Sequence, residues 1–158
     1  MSESFYFYLI SGLLIIVALY KFFRRKIRKD PLPERNSACI WHSTVKKIHK
    51  VYDGDTIFAY VKGHNPIDNK PTGIRLRGID TPEIRDGNSS VRKKAQNAKV
   101  FVESEINKAR KIHLYNISMD DKYGRMLATV FCDRKDIAKM LLEKKLAKAY
   151  DGGKKPKW

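Results

Sequence analysis

Cysteine is scarce: 2 in 158 residues, Cys39 and Cys132, far apart. That excludes the disulfide framework of small secreted folds. Cys39 stands three residues before His42, but no second pair completes a zinc site. The 4 histidines, His42, His49, His64 and His113, are scattered without metal-ligand spacing. Acidic residues are also few, 17 against 33 Lys plus Arg, for a formal charge of +16. A balance so basic points to a polyanionic partner: nucleic acid, anionic lipid, or both. No internal repeat is present. The length suits one ordinary domain with an appendage.

Charge is almost missing from one run, "FYFYLISGLLIIVALYKFF", Phe5 to Phe23, where Lys21 is the single exception. As a helix the run would span about 28 Å, close to a bilayer core. Aromatics bunch at both ends, as at membrane interfaces. The run has no polar face, which argues against a soluble amphipathic helix. "MSES" carries no basic residue and "KFFRRKIRK" follows in place of a small-residue cleavage site, so a removable signal peptide fits poorly. We expect a short polar N-terminus (1–4), a single-pass transmembrane anchor (5–23), and a basic flank with linker (24–37). Lys21, Arg24, Arg25, Lys26, Arg28 and Lys29 place the C-terminal domain on the cytoplasmic or equivalent side by the charge rule. The cluster at 21–29 also suits anionic headgroups. "DPLPERNS" reads as linker.

From residue 38 to 158 the texture is that of a folded domain. "CIWHSTVKKIHKVYDGDTIFAYV" predicts a strand, a tight turn at "DGD" and a second strand. "HNPIDNKPTG" is turn-rich, and "GIRLRGI" alternates as a third strand with a charged face. Asn88, Ser89 and Ser90 are N-cap residues, after which Val91, Ala95, Ala98, Val102, Ile106 and Ala109 recur at helical spacing. "KIHLYNIS" and "MLATVFCD" predict strands four and five. Asp136 opens a last helix, with Ala138, Leu141, Leu142 and Leu146 inward. Five strands with a helix between the third and fourth is the order of an OB-type barrel. The expected class is α+β, mainly β: a five-stranded OB-type barrel with two packed helices, preceded by one N-terminal transmembrane helix. Periodicity by itself leaves other α+β arrangements open.

The chemistry concentrates in three motifs. In "YDGDT", Asp53 and Asp55 flank Gly54. Carboxylate oxygens suit hard cations such as Ca²⁺. Asp-Gly is also a hairpin signal; taken alone the turn is the better reading, and the two uses are compatible. In "RLRGIDTPE", Asp80 and the Thr81 carbonyl are further candidate ligands, and Pro82 stiffens the turn. Glu83, three residues on, can orient or deprotonate a water beside a metal-bound phosphate. Arg75 offers a guanidinium fork for phosphate oxygens, and "DDKYGR" supplies a second in Arg125.

With these motifs in this order, the chain from about Lys46 to Tyr150 resembles the staphylococcal nuclease (thermonuclease) family. The resemblance implies a Ca²⁺-dependent hydrolase cutting phosphodiesters in DNA and RNA with little sequence preference. It implies Asp55, Asp80 and the Thr81 carbonyl as metal ligands and Asp53 in an outer shell. Glu83 becomes the base or water-positioning group, and Arg75 and Arg125 the clamps on phosphorus. Lys122 and Tyr123 would contact a terminal phosphate, and Tyr150 would stack on a base. Lysines of the first helix and of "KKPKW" are expected to meet phosphates. The expected partners are nucleic acid and a membrane; the expected state is a monomer. The rival readings are a non-catalytic nucleic-acid-binding barrel and, behind it, a membrane-bound scaffold. The five intact residues Asp55, Asp80, Glu83, Arg75 and Arg125 favour the enzyme.

Overall fold

The computed structural model describes residues 42–64, 70–120 and 124–158. The expected anchor (5–23), flank and linker (24–37), Cys39, Lys122 and Tyr123 lie outside the described residues. Among the described residues no helix is long and apolar enough to cross a membrane.

The chain runs β1 (Ser43–Val51), β2 (Thr56–Val61), β3 (Thr72–Leu76), β4 (Ile79–Asp80), α1 (Ser89–Lys108), β5 (Ile112–Asp120), β6 (Arg125–Cys132), β7 (Lys135–Asp136), α2 (Ile137–Glu143) and β8 (Lys148–Ala149). β1 pairs antiparallel with β2 and with β5, β2 with β3, and β5 with β6. The ring closes where β3 meets β6 in parallel, Ile74 opposite Met126 and Leu76 opposite Ala128. This is the expected mainly β barrel of five strands, with two helices packed on it. β7 is a short addition beside β6. Closure removes the open sheet edges that invite aggregation. Register shifts in β1, between Val45 and Lys47 and between Ile48 and Lys50, are bulges of the kind that bend a strand around a barrel.

The period-2 pattern sends Ile57, Ala59 and Val61 from β2, Ile74 and Leu76 from β3, and Met126, Ala128 and Val130 from β6 inward. α1 covers the barrel with Val91, Ala95, Ala98, Val102 and Ile106. Its start is fixed by Asn88, whose side chain accepts the Ser90 N–H at 2.8 Å. α2 is capped the same way: Asp136 accepts from the Ala138 and Lys139 amides at 2.9 and 3.3 Å, which explains a buried carboxylate there. α2 is shorter than its apolar spacing suggests. The chain turns at Lys145, with φ 58, so Leu146 reaches the core from the loop beyond the helix. β8, without an apolar pattern, joins β4 with Ile79 opposite Ala149 and Asp80 opposite Lys148. That pairing brings the C-terminal segment to the carboxylates.

Candidate active site

The β1–β2 turn carries Asp53 and Asp55. It is closed by the Tyr52 amide donating to the Thr56 carbonyl at 2.9 Å. Gly54 is needed for space: a Cβ there would lie 2.7 Å from the Ala98 Cβ of α1 and 2.9 Å from Thr81 Cγ2. The turn is therefore pressed between the helix and the "DTPE" segment. The Leu76 amide donates to the Asp55 carbonyl at 2.8 Å, which sets the end of β3, and Arg75, beside the turn. Gly78, with φ 83, then folds the chain back so that Asp80 and Thr81 face Asp55.

Asp55, Asp80 and Thr81 are buried. Asp55 Oδ1 accepts from the Arg75 guanidinium and from Thr56 Oγ1, the latter at 3.0 Å. Its Oδ2 accepts from the Thr81 amide at 3.0 Å and Thr81 Oγ1 at 3.1 Å. The other Arg75 nitrogen reaches Asp80 Oδ1 at 3.4 Å and the Ile79 carbonyl at 3.2 Å. Asp55 and Asp80 thus converge on one guanidinium. Asp53 stands behind them, accepting the Asp55 amide at 3.0 Å. Burial, then the charge of Asp55, pushes the Asp53 carboxyl up to about 6.

Glu83 is exposed, and its Oε1 accepts from Lys155 Nζ at 2.5 Å. Lys155 also lies 3.6 Å from Asp80 Oδ1. The bond to Glu83 raises the Lys155 pKa more than its partial burial lowers it. Trp158 Nε1 donates to Asp80 Oδ2 at 3.0 Å. The segment reaches this place in three steps. Tyr150 donates its amide to the Gly78 carbonyl at 3.0 Å, Gly152 and Gly153 turn the chain with φ 112 and 85, and Lys148 Nζ sits 4.6 Å from the Trp158 ring centre. Sequence reasoning assigned "KKPKW" to phosphates; it gave no signal that Lys155 and Trp158 meet Glu83 and Asp80. The Tyr150 hydroxyl donates to the Gly153 carbonyl at 3.0 Å, within the same fold-back.

Arg125 opens β6. A Cβ on Gly73 would lie 3.3 Å from Arg125 Cγ, so the arginine crosses the outer face of β3 at that glycine. Arg75 sits on the same outer face, opposite Leu127 in β6. The two arginines are one strand and two residues apart, about 8 Å between Cα atoms from strand spacings. Arg77, the second arginine of "RLRGIDTPE", is used structurally: it donates to the Asn116 carbonyl at 2.8 Å and Ser118 Oγ at 2.6 Å.

Among the described residues no group of three or more His, Cys, Asp or Glu side chains is gathered tightly enough to hold an ion alone. The oxygens gathered are those of Asp55 and Asp80, now held by Arg75 and Trp158, with Thr81 bonded against Asp55. An all-oxygen set completed by water fits a hard cation.

The profile of the family described as Staphylococcal nuclease homologue matches residues 73–157, more than half of the chain. The chain belongs to that family. Its relatives include the thermonuclease of Staphylococcus hyicus, 30% identical over 103 residues, covering 65% of this chain and 57% of that protein. An endonuclease of Bacillus subtilis is 30% identical over 102 residues, 64% of this chain and 46% of the relative. A probable endonuclease of Coccidioides posadasii is 26% identical over 164 aligned residues, 89% of this chain and 51% of the relative. This staphylococcal nuclease homologue therefore spans about half the length of these relatives. Asp53 and Asp55 precede the span matched by the family profile. Their place beside Arg75 and Asp80 is an observation of geometry, independent of that match.

Proposed function

We propose that the chain is a calcium-dependent endonuclease that hydrolyses phosphodiesters of DNA or RNA with little sequence preference, tethered to a membrane through residues 5–23. One observation carries the reading: Asp55 and Asp80, from two separate turns, converge on Arg75, with Glu83 linked to Asp80 through Lys155. The names of the relatives, thermonuclease and endonuclease, support it. Asp55, Asp80 and the Thr81 carbonyl would hold the calcium ion, with Asp53 behind them. When bound, such an ion neutralises a phosphate oxygen and lowers the pKa of a coordinated water.

The chain's own residues supply the rest. Arg75 and Arg125, on one face of the β3–β6 pair, grip the phosphate as negative charge grows on it. Glu83 orients the attacking water or takes its proton. For that, its contact with Lys155 has to open. The pair is more than half exposed, 59% and 56%, so opening costs little. The expected orientation, with the domain on the cytoplasmic or equivalent side, is tested by protease protection in sealed vesicles.

The deciding assay uses single-stranded DNA with calcium and with chelator. Wild type cleaves only with calcium. Arg125→Ala, which keeps the carboxylate–Arg75 cluster intact, loses about 10²–10³ in turnover, by analogy with an oxyanion-hole donor. Near-normal turnover by that variant, or binding without cleavage by wild type, overturns the reading.

A further inference from the structure

A trough of about 670 Å³ lies between β1, the start of β5 and the end of α1. Lys46, Lys47, Lys62, Arg110, Lys111 and His113 line it. No carboxylate does, among the described residues. Two acids beside its lining residues, Asp133 and Glu105, are already engaged. Asp133 accepts the backbone amides of Arg110 and Lys111, both at 3.0 Å, and forms no ion pair with their side chains among the described residues. Glu105 is paired with Lys108 at 3.3 Å and Lys135 at 3.8 Å. Within the described residues none of the five trough cations has an ion-pair partner.

Aromatic rings adjoin the trough. His113 belongs to its wall and also to a cluster on the outer face of β5. His42 lies 5.2 Å from Tyr115 between ring centres, His113 lies 6.3 Å from Tyr115, and His42 and His113 stack at 6.5 Å. Burial, then the neighbouring His42 and Lys111, lowers the His113 pKa.

The trough is separate from the carboxylates but connected to them. α1 touches the catalytic turn at Ala98 and the trough at Ile106, about 12 Å further along the helix. β1 runs from Lys46 to the turn at Asp53, about 23 Å. At about 3.4 Å per phosphate when stacked as in a duplex strand, at most about seven nucleotides cover the gap, and fewer when the single strand is extended.

We propose that this trough is a second binding track for single-stranded nucleic acid, holding phosphates on its lysines and arginines and bases on the His42–Tyr115–His113 rings. Cations that track a backbone beside stacking rings are what sequence-indifferent single-strand binding uses. A concave channel ending at rings suits a flexible strand with bases to stack; a bilayer surface offers neither. The proposal rests on the nuclease reading and extends it: the track would hold a long substrate several nucleotides from the cut.

The test compares a 6-mer and a 30-mer of fluorescent single-stranded DNA. Binding is measured by anisotropy in chelator, with the full chain in neutral detergent. The trough variant carries Lys46→Gln, Lys47→Gln, Arg110→Gln and Lys111→Gln. A control with the same charge change, outside the first helix, carries Lys135→Gln, Lys139→Gln, Lys144→Gln and Lys145→Gln. We expect the trough variant to weaken 30-mer binding at least tenfold and flatten its salt dependence. The 6-mer should change less than twofold, and the control should leave the 30-mer within threefold. A second variant, His42→Ala with Tyr115→Ala, should weaken the 30-mer by about tenfold. Equal losses in trough and control variants overturn the proposal. So does loss of binding to short-chain phosphatidylserine with 30-mer binding intact, which would make the trough a headgroup site. Hydrolysis of a small chromogenic nucleotide diester with calcium separates the two readings. Its absence in wild type sinks the catalytic reading, while the 30-mer to 6-mer ratio in chelator still reports on the trough.

Discussion

The carboxylate corner and the basic trough handle charge in opposite ways. At the corner, Asp55 and Asp80 are buried and each oxygen has a donor: Arg75, Thr56, Thr81, Lys155 or Trp158. In the trough, cations crowd together at the surface and face water. Buried charge is costly unless paired and hydrogen-bonded, so the corner is built as an interlocking set. Exposed like charges repel weakly across solvent, so the trough is tolerated without compensation. The corner is consequently where fold and proposed chemistry depend on the same groups. In the trough, proposed binding can be changed with little effect on folding.

The largest expected effect tests that contrast directly. Arg75→Ala leaves Asp55 and Asp80 buried with their main cation gone, and should cost about 3–5 kcal/mol, read by urea unfolding in chelator. The four trough substitutions together should stay within about 1 kcal/mol, as surface changes do. If Arg75→Ala costs no more than the trough variant, the corner is not the interlocked set described here. Gly54→Ala comes next. A methyl 2.7 Å from the Ala98 Cβ forces the Asp53–Asp55 turn away from α1, for about 1–3 kcal/mol of overpacking strain. A stability close to wild type would show that the turn has slack.

A third measurement probes the interior below the trough, where Cys132 is buried and pairs with Ile112. Burial, then the charges of Glu105 and Asp133, pushes its thiol from 9.0 up to about 12. Below pH 9 the thiol is neutral in both states and folding is unaffected. As pH climbs from 9 toward 12 the unfolded chain releases a proton that the folded chain keeps, so stability falls. At pH 10 the loss attributable to this group is about 1.4 kcal/mol. Cys132→Ala should remove that part of the decline between pH 8 and 10, whatever it costs in packing at both. Identical slopes for the two proteins would mean that the thiol is not held neutral.

Much of the corner was legible because its parts are local. "DGD" announced a tight turn, "DTPE" a stiff one, and the alternation of Ile74 and Leu76 around Arg75 fixed which face the arginine takes. The helices were equally plain, since Asn88 and Asp136 cap them and Val91 through Ile106 repeat at helical spacing. The illegible parts are those decided by tertiary contact. Nothing in Lys148–Ala149 marks a strand; its address is set by backbone pairing with β4 and by Tyr150 donating to Gly78. That address in turn decides where Lys155 and Trp158 fall. The Thr81 bonds to Asp55 were hidden as well, because sequence shows that two motifs are compatible but not which oxygen takes which donor. The trough draws on β1, β5 and α1, so its cations are dispersed along the chain and read singly as a solvated surface.

The smallest expected effect concerns the contact that sequence missed. Lys155 and Glu83 are 2.5 Å apart yet more than half exposed, and such pairs are typically worth 0–1 kcal/mol. Lys155→Ala should therefore leave urea unfolding almost unchanged, in contrast to Arg75→Ala a few ångströms away. The outcome separates two roles for the C-terminal segment. If it only rests on the carboxylates, removing the lysine frees Glu83 and one edge of Asp80 at no cost to the barrel. Terbium luminescence should then report ion binding at least as tight as in wild type. If the segment is part of the interlocked corner, the same substitution destabilises by several kcal/mol, and the division between corner and surface has to be redrawn to include residues 155–158.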